Sequence, residues 1–376
     1  MRVPAFDLTR QQAALLSELR PAIERVLASG QFILGPENEA FEREVARFLG
    51  VHHAIGVSSG TDALWLALRA VGVGPGDRVL TSPFTFFATA SAILACGAIP
   101  VFADIDPETF GLSPKAMETA LAALPAGSVR AVVPVHLYGQ AADMDEILTL
   151  ARERGLAVVA DAAQAFGSTH HGRSVGRLGD VACFSFFPTK NLGAAGDAGM
   201  VTTEDDRVAD RVRLLRAHGS RVKYHHVEVG RNCRLDSLQA AVLRVKLPHL
   251  VRWVEARRAH AAAYDAALDG RPDVTVPARR ADRDHTFHQY TVRIDRSRRD
   301  AVRAVLRDRG VETTVYYPLP LHLQPALADL RHARGDFPEA ERASEEALSL
   351  PMFPELEPRE REAVIDALAE ALRAVP

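Results

Sequence analysis

Between about residue 50 and residue 205, short apolar runs alternate with stretches of helical periodicity, and this alternation constrains the fold more than any other feature. Strands and helices in strict alternation produce parallel strands joined by right-handed crossovers, with helices on both faces of the sheet. Ligands of such sheets bind beyond the carboxyl ends of the strands. The sequence therefore predicts an α/β fold with its functional site at that edge.

The predicted elements divide the chain into two parts. The predicted strands of the first part are Arg78–Thr81, Ile99–Ala103, Ala131–Val135, Ala157–Asp161, Ala182–Phe186 and Gly199–Thr203, and the helices between them are Thr61–Val71, Pro114–Ala122 and Asp143–Glu153. A helical stretch from Leu235 to Leu268, interrupted by Pro248, leads to predicted strands Gln289–Ile294 and Val311–Val315 and helices Arg299–Asp308 and Arg359–Arg373. This change of pattern predicts a large domain of residues 1–245, with an N-terminal helical segment, and a smaller α+β domain of residues 246–376.

The composition favours a soluble cytoplasmic protein. A chain of 376 residues is long for one core, and 45 basic against 48 acidic residues leave a net charge of -3 without a basic stripe. Nucleic acid and membrane partners are therefore not expected. The three cysteines form no Cys-x-x-Cys pair, as in proteins of reducing compartments, and the N-terminus lacks the apolar segment of a signal peptide.

Lys190 and Asp161 together indicate covalent cofactor chemistry. Asp161 ends a predicted strand, and Lys190 follows the next predicted strand in a tract of small and apolar residues. A lysine in such a turn forms an imine with the aldehyde of pyridoxal phosphate (PLP), while a carboxylate keeps the pyridine nitrogen protonated. Either residue alone would be ordinary, because most lysines are solvated and strand-end aspartates commonly form turns. The pair predicts a PLP site, and Gln164 lies close enough in sequence to face the same ring.

The segment Ser58–Leu64 is a candidate phosphate cradle. It places two serines, Gly60 and Thr61 immediately before an apolar helix, where free backbone amides bind anions. An isolated match of this kind is more often a simple helix cap. The segment is not a Walker A loop, because Gly-Lys-Ser/Thr does not follow, and the glycines after Lys190 form no dinucleotide fingerprint.

The aromatic and histidine residues are less informative. Phe86 lies at a strand-to-helix junction, where it is placed to stack on a cofactor ring, although core packing is the commoner role of phenylalanine. None of the 14 histidines has the His-x-x-x-His spacing of a metal site. The adjacent pairs His170-His171 and His225-His226 should point to different faces of a regular element. A metal site is therefore not predicted.

Taken together, the chain resembles the PLP-dependent sugar aminotransferases of the DegT/DnrJ/EryC1/StrS family. The resemblance covers nearly the whole chain and depends on segments that occur in the same order as in the family. These segments are Gly30–Glu37, Ser59–Leu64, Val135–Gly139, Asp161–Gly167, Ser185–Gly193, Gly230–Asp236, Gln239–Ala241, Tyr317-Pro318, Pro320–His322, Phe337–Glu341 and Leu350–Pro354. The resemblance implies the aspartate-aminotransferase fold, PLP fold type I, with a mostly parallel central sheet in the large domain.

The resemblance also implies a role for each candidate residue. Lys190 would hold PLP covalently and Asp161 would pair with the pyridine nitrogen. Gly60, Thr61 and Ser185 would bind the phosphate, Gln164 would contact the ring hydroxyl region, Phe86 would cover the outer ring face, and Asn232 would reach the phosphate in a neighbouring subunit. A homodimer with shared active sites follows. Arg234 is a candidate anchor for the donor carboxylate, and Tyr224, His225, Tyr317 and His322 are candidate sugar contacts.

The implied reaction moves an amino group from L-glutamate to C3 or C4 of a UDP- or dTDP-linked keto-hexose. Lys190 argues against relatives that carry histidine at this position and act as dehydratases. Arg231 stands where family members often have an aromatic or aliphatic residue, so it either faces solvent or contacts an acidic sugar or a diphosphate. The alternatives are a PLP-dependent amino-acid lyase or aldolase and a PLP-binding regulatory protein.

Overall fold

A computed structural model describes residues 1–375 of the chain. The first helices and strands, in chain order, are α1 Leu8–Ser29, α2 Pro36–Leu49, β1 His53–Val57, α3 Gly60–Ala70, β2 Arg78–Thr81, α4 Ala88–Ala95, β3 Ile99–Phe102, α5 Pro114–Ala122, β4 Val129–Val133, α6 Met144–Arg154, β5 Ala157–Asp161, β6 Thr169–His170, β7 Arg173–Ser174, β8 Val181–Ser185 and β9 Gly199–Thr203. They are followed by α7 Asp206–Leu215, β10 Ser220–Val222, β11 His225–His226, α8 Ser237–Lys246, α9 Leu250–Leu268, β12 Tyr290–Arg293, α10 Arg299–Asp308, α11 Pro338–Glu346, β13 Ala347–Leu350 and α12 Pro358–Ala374. Short 3₁₀ turns occur at Leu137–Gly139, Val175–Arg177, Leu247–His249, Leu321–Leu323 and Pro325–Leu330.

A seven-stranded sheet with the order β1-β9-β8-β5-β4-β2-β3 forms the centre of the molecule. Neighbouring strands from β8 to β3 are parallel, whereas β9 pairs antiparallel with both β8 and β1. The prediction that β9 is parallel is therefore wrong. Residues 186–198, which connect β8 to β9, contain no crossover helix, so the chain simply turns back along β8. The α/β fold class with a mostly parallel sheet is confirmed.

Most predicted elements are present with small shifts at their ends. β2, β5, β9, α5 and α10 have the predicted bounds, and Pro248 lies in the 3₁₀ turn that separates α8 from α9. Val311–Val315 is not a strand, since only Val311 and Thr314 form isolated bridges, to Val3 and Ser349. Ser349 lies in β13, which was not predicted. β1 was also missed, although Gly50, which ends α2 in the left-handed conformation, precedes it.

The helices bury the sheet on both faces. Strand β9 is buried along its whole length, as expected for a strand between two helical layers. Helices α3, α4 and α7 cover one face with an apolar cluster that includes Leu66, Ile93 and Val212. Helices α2, α5, α6 and α8 cover the other face, where Phe41, Met117, Ile147 and Leu243 are completely or almost completely buried.

The C-terminal part has an apolar core of its own. Strands β12 and β13 form a two-stranded antiparallel sheet, and α10 and α12 pack beside it. Helix α9 contributes Leu250 and Val254 to the core of the central sheet and Tyr264 and Leu268 to the C-terminal core. Because this helix contributes to both cores, the division between residues 245 and 246 remains a prediction. Within residues 1–375, no helix is both long and apolar enough to cross a membrane.

Candidate functional site

Lys190 lies in the turn that connects β8 to β9, at the carboxyl end of β8. The turn is closed by hydrogen bonds from the Lys190 amide to Phe187 O at 2.8 Å and from the Ala194 amide to Phe186 O at 2.8 Å. Gly193 is required for this turn, because a Cβ atom there would lie 2.2 Å from Pro188 O. The lysine is thus held by a short, tightly turned segment, and its side chain is half-buried.

Asp161 is the last residue of β5, the parallel neighbour of β8, and this pairing brings it close to Lys190. The carboxylate is 5% exposed. Its Oδ2 accepts a hydrogen bond from Thr89 Oγ1 at 2.8 Å, and its Oδ1 accepts one from the Ala163 amide at 3.2 Å. Within residues 1–375 each oxygen therefore accepts a single hydrogen bond, which leaves room for a further donor.

Burial changes the protonation of both residues. It raises the pKa of Asp161, while the bonds from Thr89 and Ala163 and the charge of Lys190 act in the opposite direction. Burial lowers the pKa of Lys190 to about 8, and Asp161 partly opposes this change. The ε-amine is therefore more often neutral near pH 7 than that of an ordinary lysine, as a nucleophilic lysine requires. Burial first and the Lys190 charge second hold the pKa of His288 well below its usual value.

Gln164, Tyr317 and Phe86 form a wall beside Asp161. Gln164 Oε1 accepts a hydrogen bond from the Tyr138 amide at 2.8 Å, and Gln164 Nε2 donates to Tyr317 Oη at 2.9 Å. The Tyr317 ring lies 6.2 Å from that of Phe86, which is 59% exposed. An exposed phenylalanine beside a polar cluster has a free face on which a planar ligand can stack.

The candidate phosphate cradle lies at the N-terminus of α3. Ser59 caps the helix by accepting a hydrogen bond from the Asp62 amide at 3.1 Å. Gly60 faces Ser185, since a Cβ atom on this glycine would lie 2.7 Å from Ser185 Cβ, and Thr61 is exposed. The structure thus brings together Gly60, at the start of α3, and Ser185, at the end of β8, which are far apart in the sequence. Helical amides and a nearby hydroxyl group suit a phosphate.

Asn232 and Arg234 point away from the core of their own chain. Residue 232 pairs with Ala217 and residue 234 with Val57, so this segment is extended and its side chains alternate between two sides. Cys233 is buried and close to Asp62, whereas Asn232 is exposed and Arg234 is partly exposed. Asn232 Oδ1 accepts a hydrogen bond from Arg234 Nε at 2.9 Å. Both polar groups are thereby presented outward.

The remaining candidate contacts have different surroundings. Tyr224 is 82% exposed and His225 is exposed, both on the β10–β11 hairpin. His322 is 2% exposed, pairs through Nε2 with Glu341 at 3.0 Å and packs against Phe337, which does not favour direct contact with a sugar. Arg231 places its guanidinium 4.2 Å from the centre of the Trp65 ring in its own chain. The side chain is otherwise exposed, in agreement with the first of the two positions expected for Arg231, and the contact with Trp65 was not expected.

The sequence did not point to three residues that surround the pair of Lys190 and Asp161. Thr89 donates to Asp161, Tyr138 bonds to Gln164, and His288 is buried close to Lys190. Tyr138 lies in the segment Val135–Gly139, which was noted only for the family resemblance, and Thr89 lies at the start of α4 and carried no signal of its own. His288 lies just before β12, far from Lys190 in the sequence, and carried no signal of its own.

The residues present fit PLP. Asp161 has a free acceptor position for a pyridinium N–H group, and a half-buried lysine of low pKa lies beside it. Gly60 and Ser185 form a cradle that a larger residue at position 60 would fill. The residues that would hold the cofactor are therefore Lys190, Asp161, Gln164, Phe86 and the cradle, and Asn232 faces away from its own chain.

Comparison with known proteins identifies relatives along almost the entire chain. The sequence model of the DegT/DnrJ/EryC1/StrS aminotransferase family matches residues 14–369. A pleiotropic regulatory protein from Geobacillus stearothermophilus is 49% identical over 99% of both chains. A UDP-N-acetyl-3-dehydro-α-D-glucosamine 3-aminotransferase from Acidithiobacillus ferrooxidans is 45% identical over 99% of this chain and 97% of its own. A dTDP-3-amino-3,4,6-trideoxy-α-D-glucose transaminase from Streptomyces venezuelae is 46% identical over 98% of this chain and 96% of its own.

Solved structures agree with these relatives. The crystal structure of DesV from S. venezuelae in complex with a ketimine intermediate superimposes with a TM-score of 0.96, at 45% identity and over 100% of both chains. The structure of NtdA from Bacillus subtilis with bound PMP has a TM-score of 0.92 at 30% identity, over 99% of this chain and 85% of its own.

Proposed function

Because this chain belongs to the DegT/DnrJ/EryC1/StrS aminotransferase family, we propose that it is a PLP-dependent aminotransferase that converts a nucleotide-linked keto-hexose into an amino sugar with L-glutamate as donor. The observation that carries the proposal is the pair of Lys190 and Asp161 at the carboxyl ends of adjacent parallel strands. A solved relative with bound PMP supports the choice of cofactor.

Different side chains have different roles around the cofactor. When bound, PLP supplies an electron sink for the bond broken at the substrate carbon, which no side chain provides. Lys190 Nζ would hold the cofactor covalently. As a free amine, it would take the proton from the α-carbon of glutamate and carry it to the cofactor, and it would carry a proton the opposite way for the sugar. Asp161 would pair with the protonated ring nitrogen, whose positive charge favours the ionised carboxylate, and the Thr89 bond fixes the orientation of that carboxylate.

Separate residues are assigned to the ring hydroxyl region, the outer ring face and the phosphate of the cofactor. Gln164 is oriented by Tyr138 and Tyr317, so its amide is held at the ring hydroxyl region. Phe86 covers the outer face, which excludes water from the reacting carbon. Gly60, Thr61 and Ser185 bind the phosphate at the N-terminus of α3.

The active form is proposed to be a homodimer in which each subunit completes the other's site. Asn232 would bind the phosphate held by a partner chain, and Arg234 would pair with the carboxylate of glutamate. Their outward orientation supports this assignment. Tyr224 and His225, which lie on the exposed hairpin, are the proposed sugar contacts together with Tyr317. His322 remains a weaker candidate because of its pairing with Glu341.

The proposed position of amination is C3. The relatives from A. ferrooxidans and S. venezuelae differ in the nucleotide, UDP and dTDP, but both are named for an amino group at C3. The three cysteines are buried and form no disulfide within residues 1–375, which supports the cytoplasm as the site of action. The nucleotide and the remaining sugar substituents are left to experiment.

The test is turnover of purified enzyme with glutamate and a panel of UDP- and dTDP-linked 3-keto and 4-keto hexoses, followed by mass spectrometry. We expect a mass change equal to replacement of a keto oxygen by an amine, together with formation of 2-oxoglutarate in equal amount. A product from 4-keto sugars alone would overturn the C3 assignment. Release of ammonia or an aldehyde from amino acids without any sugar would favour the lyase or aldolase alternative.

A regulatory function is the second candidate, because the relative from G. stearothermophilus is named as a regulatory protein. The two functions are separated by a Lys190→Ala variant expressed in the native host. A purely regulatory role would survive this substitution, whereas an enzymatic role would be lost with the amino sugar. A protein that binds PLP but transfers no amino group to any of the sugars would also favour regulation.

A further inference from the structure

The structure places two histidines that were expected to diverge on the same side of a turn. His170 ends β6, and His171 lies in the turn before β7 with a φ of 48°. This left-handed backbone interrupts the alternation of side chains that a strand would impose. As a result, the two imidazole rings lie side by side, with 4.5 Å between their centroids.

Two carboxylates from other segments meet these rings. Asp145, in the first turn of α6, has Oδ2 at 3.0 Å from His171 Nε2 and Oδ1 at 3.9 Å from His170 Nδ1. Asp282 has Oδ2 at 3.3 Å from His170 Nε2 and 3.9 Å from His171 Nε2. Ligand atoms from Asp145, His170 and His171 all lie within 4.8 Å of one another. For comparison, nitrogen and oxygen ligands of tetrahedral zinc lie about 3.3 Å apart.

Both ring nitrogens of His170 face carboxylates. His170 is 3% exposed, its Nε2 lies 3.3 Å from Asp282 Oδ2, and its Nδ1 lies 3.9 Å from Asp145 Oδ1. A histidine that binds a metal through one ring nitrogen commonly has a carboxylate beside the other.

The charges around the cluster favour a cation. Arg283 is engaged on one side, where its guanidinium pairs with Asp282 at 2.7 Å and with Asp143 at 2.8 Å. Asp145 makes no contact with an arginine or lysine within residues 1–375 and thus keeps its negative charge for a ligand. The N-terminus of α6 opposes a cation, and the Asp145 charge offsets this effect.

We propose that His170, His171 and Asp145 bind a divalent transition-metal ion of the zinc class, with Asp282 beside the ligands and water at the remaining position. Imidazole nitrogen with one carboxylate is a donor set suited to zinc, cobalt or nickel rather than to magnesium or calcium. The ion would join the β6–β7 hairpin to α6, and the segment around Asp282 would lie beside it. The proposal goes beyond the proposed aminotransferase activity and does not depend on it.

The expected role of the ion is structural. The His171 amide already donates to Asp282 O, and the Asp284 amide donates to Thr169 O at 3.0 Å, so the 282–284 segment lies against the hairpin. This segment leads to Thr286, whose carbonyl oxygen accepts a hydrogen bond from Asn191, the neighbour of Lys190, at 3.2 Å. A metal ion would stabilise the folded state by mass action, because the unfolded chain does not hold its ligands together.

The test is zinc binding to the cofactor-loaded enzyme, purified without a histidine tag and stripped of metal with a chelator. Competition with a chromogenic chelator should reveal one zinc ion per chain, and zinc should raise the melting temperature. His171→Ala and Asp145→Asn should each weaken zinc binding by at least about tenfold. Both side chains are more than half exposed, so these variants should fold.

His52→Ala is the matched control. His52 and His53 are also adjacent and also face carboxylates, Glu204 at 3.0 Å and Asp206 at 2.7 Å, but their ligand atoms do not converge with a third group within residues 1–375. The control should bind zinc like the wild type. Equal affinity in all of these proteins, or no saturable binding by the wild type, would overturn the proposal and leave an ion-paired histidine cluster.

Discussion

The two halves of the proposed active site differ sharply in how they are supported. Asp161 ends β5 of the central sheet and is 5% exposed, and Lys190 lies in the turn that follows the neighbouring strand β8. The segment of residues 218–234, here called the arm, carries Asn232, Arg234 and the β10–β11 hairpin. Its large apolar side chains are strongly exposed, at 63% for Val222, 82% for Tyr224, 72% for Val227 and 87% for Val229.

This contrast shows which half a single chain can build alone. The sheet half is packed on both sides, so one chain fixes its geometry and the protonation of its groups. The arm exposes an apolar surface with polar groups beside it, which is typical of a surface that binds another protein. We therefore expect substitutions in the sheet half to act within one subunit and those in the arm to act across subunits.

The largest effect is expected in the sheet half, for Lys190→Ala. Loss of the amine removes both the covalent hold on the cofactor and the proton carrier, so turnover should fall by about 10³-fold or more. The visible absorbance of the imine should disappear as well. Lys190→Arg is the control that keeps the charge but not the nucleophile, and it should be equally inactive. Substantial turnover by either variant would refute the assigned role of Lys190.

A smaller loss is expected for Asp161→Asn. The amide cannot stabilise a protonated ring nitrogen, and kcat should fall by about 10²-fold. Thr89→Val is the matched control, because it removes the bond at 2.8 Å while leaving the carboxylate charge, and its effect should be smaller. If Asp161→Asn left kcat unchanged, the carboxylate would serve the fold and not the reaction.

Sharing of the site between subunits is tested with one inactive and one weakened variant. Asn232→Ala should weaken cofactor binding and lower activity by about tenfold, through loss of one hydrogen bond to a charged phosphate. Mixing Lys190→Ala chains with Asn232→Ala chains should restore roughly a quarter of wild-type activity, since half of the dimers then contain one intact site. No recovery after subunit exchange would place Asn232 in the site of its own chain.

The pKa of Lys190 predicts how fast the cofactor-free enzyme captures PLP. Only the neutral amine attacks the aldehyde, so with a pKa of about 8 the rate should rise with pH and level off above pH 9. Between pH 7 and pH 9 the neutral fraction increases by about tenfold. Because Asp161 raises the pKa of Lys190, Asp161→Asn should move the midpoint to lower pH. Stopped-flow absorbance measures this rate, and a midpoint above pH 10 would contradict the prediction.

The smallest effect is expected for Arg231, which directly precedes Asn232 in the arm. Arg231→Ala removes the contact with Trp65 and should lower the free energy of unfolding by about 0.5–1 kcal/mol, with kcat unchanged. Arg231→Lys should keep part of this stability. Chemical denaturation measures the difference. A variant of unchanged stability with a raised KM for the sugar would instead assign Arg231 to substrate binding in the neighbouring site.

Much of the sheet half was predictable because its signals are local. The apolar runs that become β5 and β8 place Asp161 and Lys190 at strand ends, and parallel strands end at the same edge. The phosphate cradle at Gly60 was indicated by the residues around it, whereas Ser185 was assigned to the phosphate only through the family resemblance. Their contact depends on how β8 lies beside α3. Thr89 and His288 gave no signal, because a hydroxyl or a histidine becomes informative only beside its partner.

Three outcomes could not have been derived from local patterns. Strand β9 is antiparallel because the turn around Lys190 replaces a crossover helix. His322 was selected by sequence position, yet its pairing with Glu341 depends on α11, which was not predicted. The adjacent histidines His170 and His171 converge because one left-handed residue breaks the periodicity on which their separation was inferred.

The sequence by itself determined the α/β class, the family and the residues able to perform the chemistry, since periodicity and residue type are properties of the local chain. The tertiary structure decided which of those residues meet, in which direction each side chain points and how burial alters its charge. Buried Asp161 and exposed Asn232 illustrate the difference. Burial, pKa shifts and convergence depend on segments distant in sequence, and only the packed chain brings these segments together.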